Sequence, residues 1–202
     1  RAAGTWLMVA GMVAAGCAEA VIAESDTGAL GPGLGQAEWG RCAFDRGMQH
    51  AGALVGDADA LNLLAGQPRH RDDWILTPHP GEAARLLGID IQAVLDDRWA
   101  TADALVERYG GVVVLKGAGT LIADRHRRRV VGEGNPGMAS GGMGDVLTGV
   151  IAGLRAQGWP PFEAACLGVQ AHARAADRAA GGGERGLLAG DVLAQLRGVI
   201  NP

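Results

Sequence analysis

Gly134-Asn135-Pro136-Gly137-Met138-Ala139-Ser140-Gly141-Gly142-Met143-Gly144-Asp145 runs directly into Val146-Leu147-Thr148-Gly149-Val150-Ile151. The stretch predicts a glycine-dense loop that delivers one carboxylate to the first turn of an apolar helix. Glycine permits φ > 0 and lets a ligand come close to peptide N–H groups. The start of a helix adds unpaired N–H donors and a positive dipole end, so the junction suits an anion such as a phosphate. Asp145 then stands beside that anion. A base or orienting group next to a cradled phosphate is the layout that phosphoryl transfer requires. Glycine-rich loops before helices also serve as plain turns, and the loop chemistry alone leaves both readings open.

Downstream of this loop, Val146, Leu147, Val150, Ile151 and Leu154 repeat at helical spacing, and Gly158 with Pro160 ends the helix. Upstream, Val112-Val113-Val114-Leu115 is apolar throughout, which predicts a central strand covered on both faces. Further strands are expected at 53–55 and 74–77, the latter stopped by Pro78, with a weaker run before Gly31. Helices are expected over 59–65, 81–87, 162–180 and 191–200. A longer one within 91–109 would put Val94, Leu95, Ala102, Leu105 and Val106 on one face. Strand-like runs alternating with helix-like ones predict an α/β protein, three layers deep (α/β/α), around a mostly parallel sheet. The 202 residues fit one domain, and no repeat or linker divides them. Loops 31–35, 57–62, 77–82, 116–120 and 134–145 each follow a strand-like segment. Ligands of open α/β sheets bind beyond the carboxyl ends of the strands, so these loops are expected to converge.

Hydrophobic residues make up 48% of the chain and charged residues 20%, the balance of an ordinary soluble globular protein. A net charge of −4 argues against a broad nucleic-acid-binding face. The basic run Arg125-His126-Arg127-Arg128-Arg129 lies between two short strand-like segments and reads as a solvated hairpin turn. Cys17, Cys42 and Cys166 are widely spaced and form no Cys-x-x-Cys pattern. No zinc site or disulfide framework follows, and a reducing compartment is expected. Residues 6–23 are nearly uncharged. Arg1 followed by this run up to Cys17 has some features of a secretory signal, but its glycines and alanines dilute it, and a buried element of the core is the preferred reading. No membrane partner is expected. Trp6, Trp39, Trp74, Trp99 and Trp159 are scattered and read as packing residues.

Four further segments carry chemistry. Gly31-Pro32-Gly33-Leu34-Gly35 is a loose turn motif. Asp57-Ala58-Asp59-Ala60-Leu61-Asn62 places two carboxylates two residues apart, either as caps of a following helix or as part of a site. In Thr77-Pro78-His79-Pro80-Gly81-Glu82, two prolines fix the backbone around an imidazole, and Glu82 can complement a helix N-terminus. Lys116-Gly117-Ala118-Gly119-Thr120 holds the only lysine of the chain. Its glycines expose backbone donors, Lys116 can neutralise phosphate charge, and Thr120 can hydrogen-bond. His172, on an alanine-rich helix, reads as a packed or capping side chain.

Gly142-Met143-Gly144-Asp145 resembles the anion hole and catalytic aspartate of the ribokinase-like superfamily. The longer string 135–145, together with the segments at 31–35, 57–62 and 77–82, resembles the ADP/ATP-dependent NAD(P)H-hydrate dehydratases. The resemblance implies a ribokinase-like fold and a cytoplasmic homo-oligomer, often a tetramer. It also implies Mg²⁺ with ADP or ATP as phosphoryl donor, acting on hydrated NADH or NADPH. By the same resemblance, Asp145 acts on the ring hydroxyl and the backbone of Gly142, Met143 and Gly144 stabilises the transferring phosphoryl group. Lys116, Gly117, Ala118, Gly119, Thr120 and Gly144 bind the nucleotide, Gly33 and His79 with Asp145 bind the substrate, and Glu82 assists Mg²⁺. Residues 1–30 depart from the pattern, so the expectation is one domain over 1–202 lacking the family's usual first strand and loop. A small-molecule kinase of the same superfamily and an inactive nucleotide-binding module are the rival readings.

Overall fold

The computed structural model describes residues 5–8 and 27–201. Among the described residues one sheet holds seven strands in sequential order. They are β1 (Thr5–Met8), β2 (Thr27–Leu30), β3 (Ala53–Gly56), β4 (Trp74–Leu76), β5 (Val112–Leu115), β6 (Thr120–Ala123) and β7 (Arg128–Val131). Strands β1 to β5 pair in parallel, and β6 and β7 close the edge as antiparallel neighbours. The expected mostly parallel sheet is therefore present. Of the 6–23 run, only the part within β1 falls among the described residues, and Cys17 lies outside them.

Eight α-helices occur among the described residues: α1 (Glu38–Met48), α2 (Ala58–Gly66), α3 (Pro80–Leu87), α4 (Ile91–Asp96), α5 (Arg98–Tyr109), α6 (Met143–Ala156), α7 (Pro161–Ala179) and α8 (Ala189–Ile200). Parallel neighbours joined in sequence order by right-handed crossovers keep their connecting helices on one face. Accordingly α1 to α5 share a core with Leu54, Trp74, Leu76, Val113, Leu115 and Leu121. The alternate strand residues Val55, Ile75, Val112, Val114 and Ile122 point the other way and pack under α6 and α7. Strands covered on both faces must be apolar at every position, which is why Val112–Leu115 shows no alternation. Burying each such side chain stabilises the fold by about 1.5–3 kcal/mol. A third cluster joins α6, α7 and α8 through Met143, Ala175, Ala176 and Val192.

Three local expectations need correction. The long helix expected in 91–109 is broken at Asp97, whose carboxylate accepts Ala100 N–H at 2.9 Å and starts α5 anew. Leu95 therefore leaves the apolar stripe and is 49% exposed. Trp39 and Trp159 are likewise exposed, whereas Trp74 is buried as a packing residue. Helix α1 has a faint sequence signal, because charged residues and two glycines dilute its buried side, Gly40, Ala43, Phe44 and Gly47. Of the basic run, Arg125, His126 and Arg127 form the turn between β6 and β7, whereas Arg128 and Arg129 already belong to β7. The turn is closed by Asp124, which accepts the N–H groups of His126 and Arg127. No described helix is long and apolar enough to cross a membrane.

Candidate active site

The loops that carry the candidate residues start in register. Beyond the strand ends the ladder continues: Asp57 N–H donates to Leu30 O, Thr77 N–H to Gly56 O, and Lys116 N–H to Pro78 O, at 2.8–3.0 Å. Gly31, Asp57, Thr77 and Lys116 are thereby set in a row along the carboxyl edge of the sheet. With strands about 4.8 Å apart, the row from the β2 end to the β5 end spans roughly 14 Å.

At its centre Asp57 is 1% exposed. It occupies the N-cap position of α2, yet its side chain makes no cap bond. Its carboxylate instead takes Lys116 Nζ at 2.7 Å on one oxygen and Thr148 Oγ1 at 3.0 Å on the other. Asp59 does not cap α2 either; it accepts Gly35 N–H at 2.8 Å and ties the 31–35 turn down. Both capping alternatives are overridden by tertiary partners. The pairing demands close approach: a Cβ on Gly31, at φ +138°, would fall 1.7 Å from Asp57 O. A Cβ on Gly144 would lie 3.1 Å from Asp57 Oδ2 and 3.3 Å from Lys116 Nζ.

His79 is the N-cap of α3. Its Nδ1 accepts Gly81 and Glu82 N–H, and Glu82 returns a carboxylate oxygen to His79 N–H at 2.8 Å. With Nδ1 accepting, the neutral ring carries its proton on Nε2. Glu82 is buried and also lies 3.8 Å from Lys116 Nζ. Arg98, from the start of α5, clamps the lysine loop by donating to Ala118 O at 2.7 Å and Leu115 O at 3.2 Å. Thr120 Oγ1 donates to Gly117 O within the same loop.

The 134–145 loop is held from outside. The Asp177 carboxylate accepts Gly134 N–H and Asn135 Nδ2, Asn135 Oδ1 accepts Gly137 N–H, and Ser140 donates to Leu187 O. Gly142 turns into α6 with φ +84°, and no side chain caps the helix. The first-turn amides thus stay open to an anion. Asp145 is solvent-reachable on that turn. Its carboxyl is pushed up from the ordinary value, chiefly by partial burial and then by the Asp57 charge, with Lys116 pulling the other way.

A cavity of about 720 Å³ opens beside this cluster. Its wall includes His79, the whole Lys116–Thr120 loop, Gly134, Asn135, Met143 and Gly144, and α7 contributes His172. Gly33, Glu82, Gly142 and Asp145 are not among its lining residues. Gly33 is exposed at φ +67° in a turn closed by Leu34 N–H to Gly31 O, three strands from Lys116. Thr148, Arg98 and Asp177 are the structural surprises: each is an ordinary polar residue whose partner is distant in sequence. Among the described residues no group of three or more His, Cys, Asp or Glu could hold a metal by itself.

A family model described as NAD(P)H-hydrate dehydratase matches residues 6–197. The chain belongs to the NAD(P)H-hydrate dehydratase family. The match reaches upstream of Gly31, into β1. The chain is 53% identical over 175 residues to a bifunctional NAD(P)H-hydrate repair enzyme of Coxiella burnetii, covering 86% of this chain and 36% of that protein. The Escherichia coli enzyme of the same description is 50% identical over 180 residues, covering 88% and 35%. The chain thus spans about a third of the length of these bifunctional relatives. An ADP-dependent (S)-NAD(P)H-hydrate dehydratase of Neisseria meningitidis is 41% identical over 181 residues, covering 79% of this chain and 61% of the relative. The ADP/ATP-dependent NAD(P)H-hydrate dehydratase of Bacillus subtilis, co-crystallised with ATP/Mg²⁺, superposes with a TM-score of 0.78 at 31% identity, covering 87% and 64% of the two chains. A ribokinase-like superfamily protein of Enterococcus faecalis gives 0.80 at 27% identity, covering 90% and 65%. The dehydratase fold of this chain is therefore ribokinase-like.

Proposed function

We propose that this chain restores NADH and NADPH from the S-epimer of their hydrates, using ADP or ATP as phosphoryl donor. The observation that carries the reading is the row of loops. The cavity beside Lys116 lies at the β5 end and the 31–35 turn at the β2 end, and between them the uncapped start of α6 brings Gly144 against the Asp57–Lys116 pair.

In this reading the nucleotide lies along Lys116–Thr120 with its terminal phosphate over the first-turn amides of α6. Preorganised N–H donors there stabilise the charge on the transferring group. The hydrated ring reaches from Gly33 and His79, and Asp145 takes the proton of its hydroxyl. A raised carboxyl pKa makes Asp145 a better base than an ordinary aspartate. The hydroxyl oxygen bonds to phosphorus as the bond to the nucleotide breaks. Phosphate then departs with the carbon–oxygen electron pair, pushed out by the ring nitrogen. Loss of a proton from the neighbouring carbon restores the double bond. Hydroxide is a poor leaving group and phosphate a good one, which is why a nucleotide is consumed.

Mg²⁺ fits this site only as a partner of the phosphates. Among the described residues no three His, Cys, Asp or Glu side chains gather to hold a metal by themselves, and Mg²⁺ commonly relies on one or two carboxylates with waters and phosphate oxygens. When bound it neutralises phosphate charge. Glu82, engaged by His79 and Lys116, orders that side of the site. ADP is the preferred donor in this proposal, in line with the Neisseria relative's name.

The test is recovery of near-ultraviolet NADH absorbance from the hydrate with Mg²⁺ and either ADP or ATP. Recovery with a nucleotide and none without it supports the proposal. No recovery, with nucleotide still raising the melting temperature, would replace it by an inactive binding module.

A further inference from the structure

One wall of the 720 Å³ cavity has no part in the proposed chemistry. On α7, Val169, His172 and Ala173 all line the cavity, and their i, i+3, i+4 spacing puts them on one helix face. His172 is 5% exposed. Its Nε2 is buried and has no hydrogen-bond partner among the described residues. Native proteins leave few buried polar atoms unpaired, because the desolvation is then uncompensated. Packing alone does not account for this residue, since a leucine would fill the space without that cost.

The chemistry of the wall narrows what completes it. Burial pushes the imidazole pKa down to about 4, with Lys116 adding to the effect, so the ring is neutral. A neutral imidazole offers one donor and one acceptor and no charge for a phosphate. Lys116 and Gly144 mark the phosphate end. Leu147, Val169 and Ala173, which line the same cavity, are apolar, which suits a flat group with few polar atoms.

We propose that His172 reads the nucleoside portion of the bound nucleotide, its imidazole hydrogen-bonding the base or ribose while Val169 and Ala173 pack against it. This rests on the nucleotide reading of the same cavity.

The experiment is calorimetric titration of the wild-type protein, His172→Leu and His172→Gln with ADP and AMP, with pyrophosphate as competitor. The wild type binds ADP. His172→Leu weakens ADP and AMP by the same factor, about tenfold for one lost hydrogen bond (about 1.4 kcal/mol). Competition by pyrophosphate is unchanged, and His172→Gln regains much of the affinity because its amide again supplies donor and acceptor. Wild-type ADP affinity in His172→Leu overturns the inference. So does an equal loss in His172→Leu and His172→Gln, or a loss shared by pyrophosphate. If His172→Leu does not fold, His172→Ala takes its place under the same criteria: a loss of ADP and AMP affinity that spares pyrophosphate supports the contact, and wild-type ADP affinity overturns it. A wild type that binds no ADP refutes instead the nucleotide reading of the cavity.

Discussion

Substituting Gly144 by alanine separates the chemistry of the α6 start from its stability. Gly144 lies in the first turn of α6 without a left-handed φ, so alanine is allowed there. Helix propensity favours the change by up to about 1 kcal/mol. Against this, the new Cβ would stand 3.1 Å from Asp57 Oδ2 and 3.3 Å from Lys116 Nζ. The 2.7 Å pair between those residues would have to give by a few tenths of an ångström, and overpacking of this kind costs about 1–3 kcal/mol. The net change in stability is a loss of between about zero and 2 kcal/mol. The same methyl displaces the lysine and narrows the approach to the first-turn amides, so kcat/KM for hydrate repair falls by at least about tenfold, roughly 1.4 kcal/mol. Gly149→Ala, on the same helix but facing open space, serves as the control. It gains stability and keeps its activity. Urea unfolding and NADH recovery are measured on both variants. If Gly144→Ala behaves like Gly149→Ala in both assays, the close approach of Gly144 to the Asp57–Lys116 pair has no bearing on catalysis.

Other outcomes follow from single residues. Asp145→Asn abolishes turnover while calorimetric ADP affinity stays near wild type. Because the Asp145 carboxyl is raised in the folded protein, ionising it weakens the fold, and that cost is present at neutral pH but absent below the ordinary carboxylate range. The asparagine variant therefore melts higher than wild type at pH 7, and the difference disappears in acid. For His172 the folded pKa is depressed to about 4 from 6.5, so its neutral burial contributes stability above pH 6.5 that is lost as pH falls through about 4. Up to about 3 kcal/mol is involved, and His172→Leu flattens this part of the wild-type stability profile measured by urea unfolding. Gly31→Ala, whose Cβ would meet Asp57 O at 1.7 Å, destabilises by more than about 3 kcal/mol and is seen as loss of the cooperative urea transition.

Much of this protein was written locally. The unbroken apolar run Val112–Leu115 announces a strand buried on both faces, and the glycine loop before Val146 announces a helix start without a cap. These features depend on periodicity and on φ > 0, which neighbouring residues dictate. The motifs at 77–82, 116–120 and 134–145 likewise each contribute residues to the wall of one cavity, His79 from the first, all of the second and part of the third. The sequence could not distribute the side chains among partners. Asp57 and Asp59 were open to two roles, part of a site or helix caps, and capping is a role that a short carboxylate fills from local geometry. Lys116, 59 residues away from Asp57, and Thr148, 91 away, outcompete that cap because the sheet brings them within 3.0 Å in a buried setting. The break at Asp97, the Asp177 clamp on the glycine loop and the orphaned nitrogen of His172 are of the same kind. Their signals are pairings across the fold, and a pairing has no periodicity for the sequence to display.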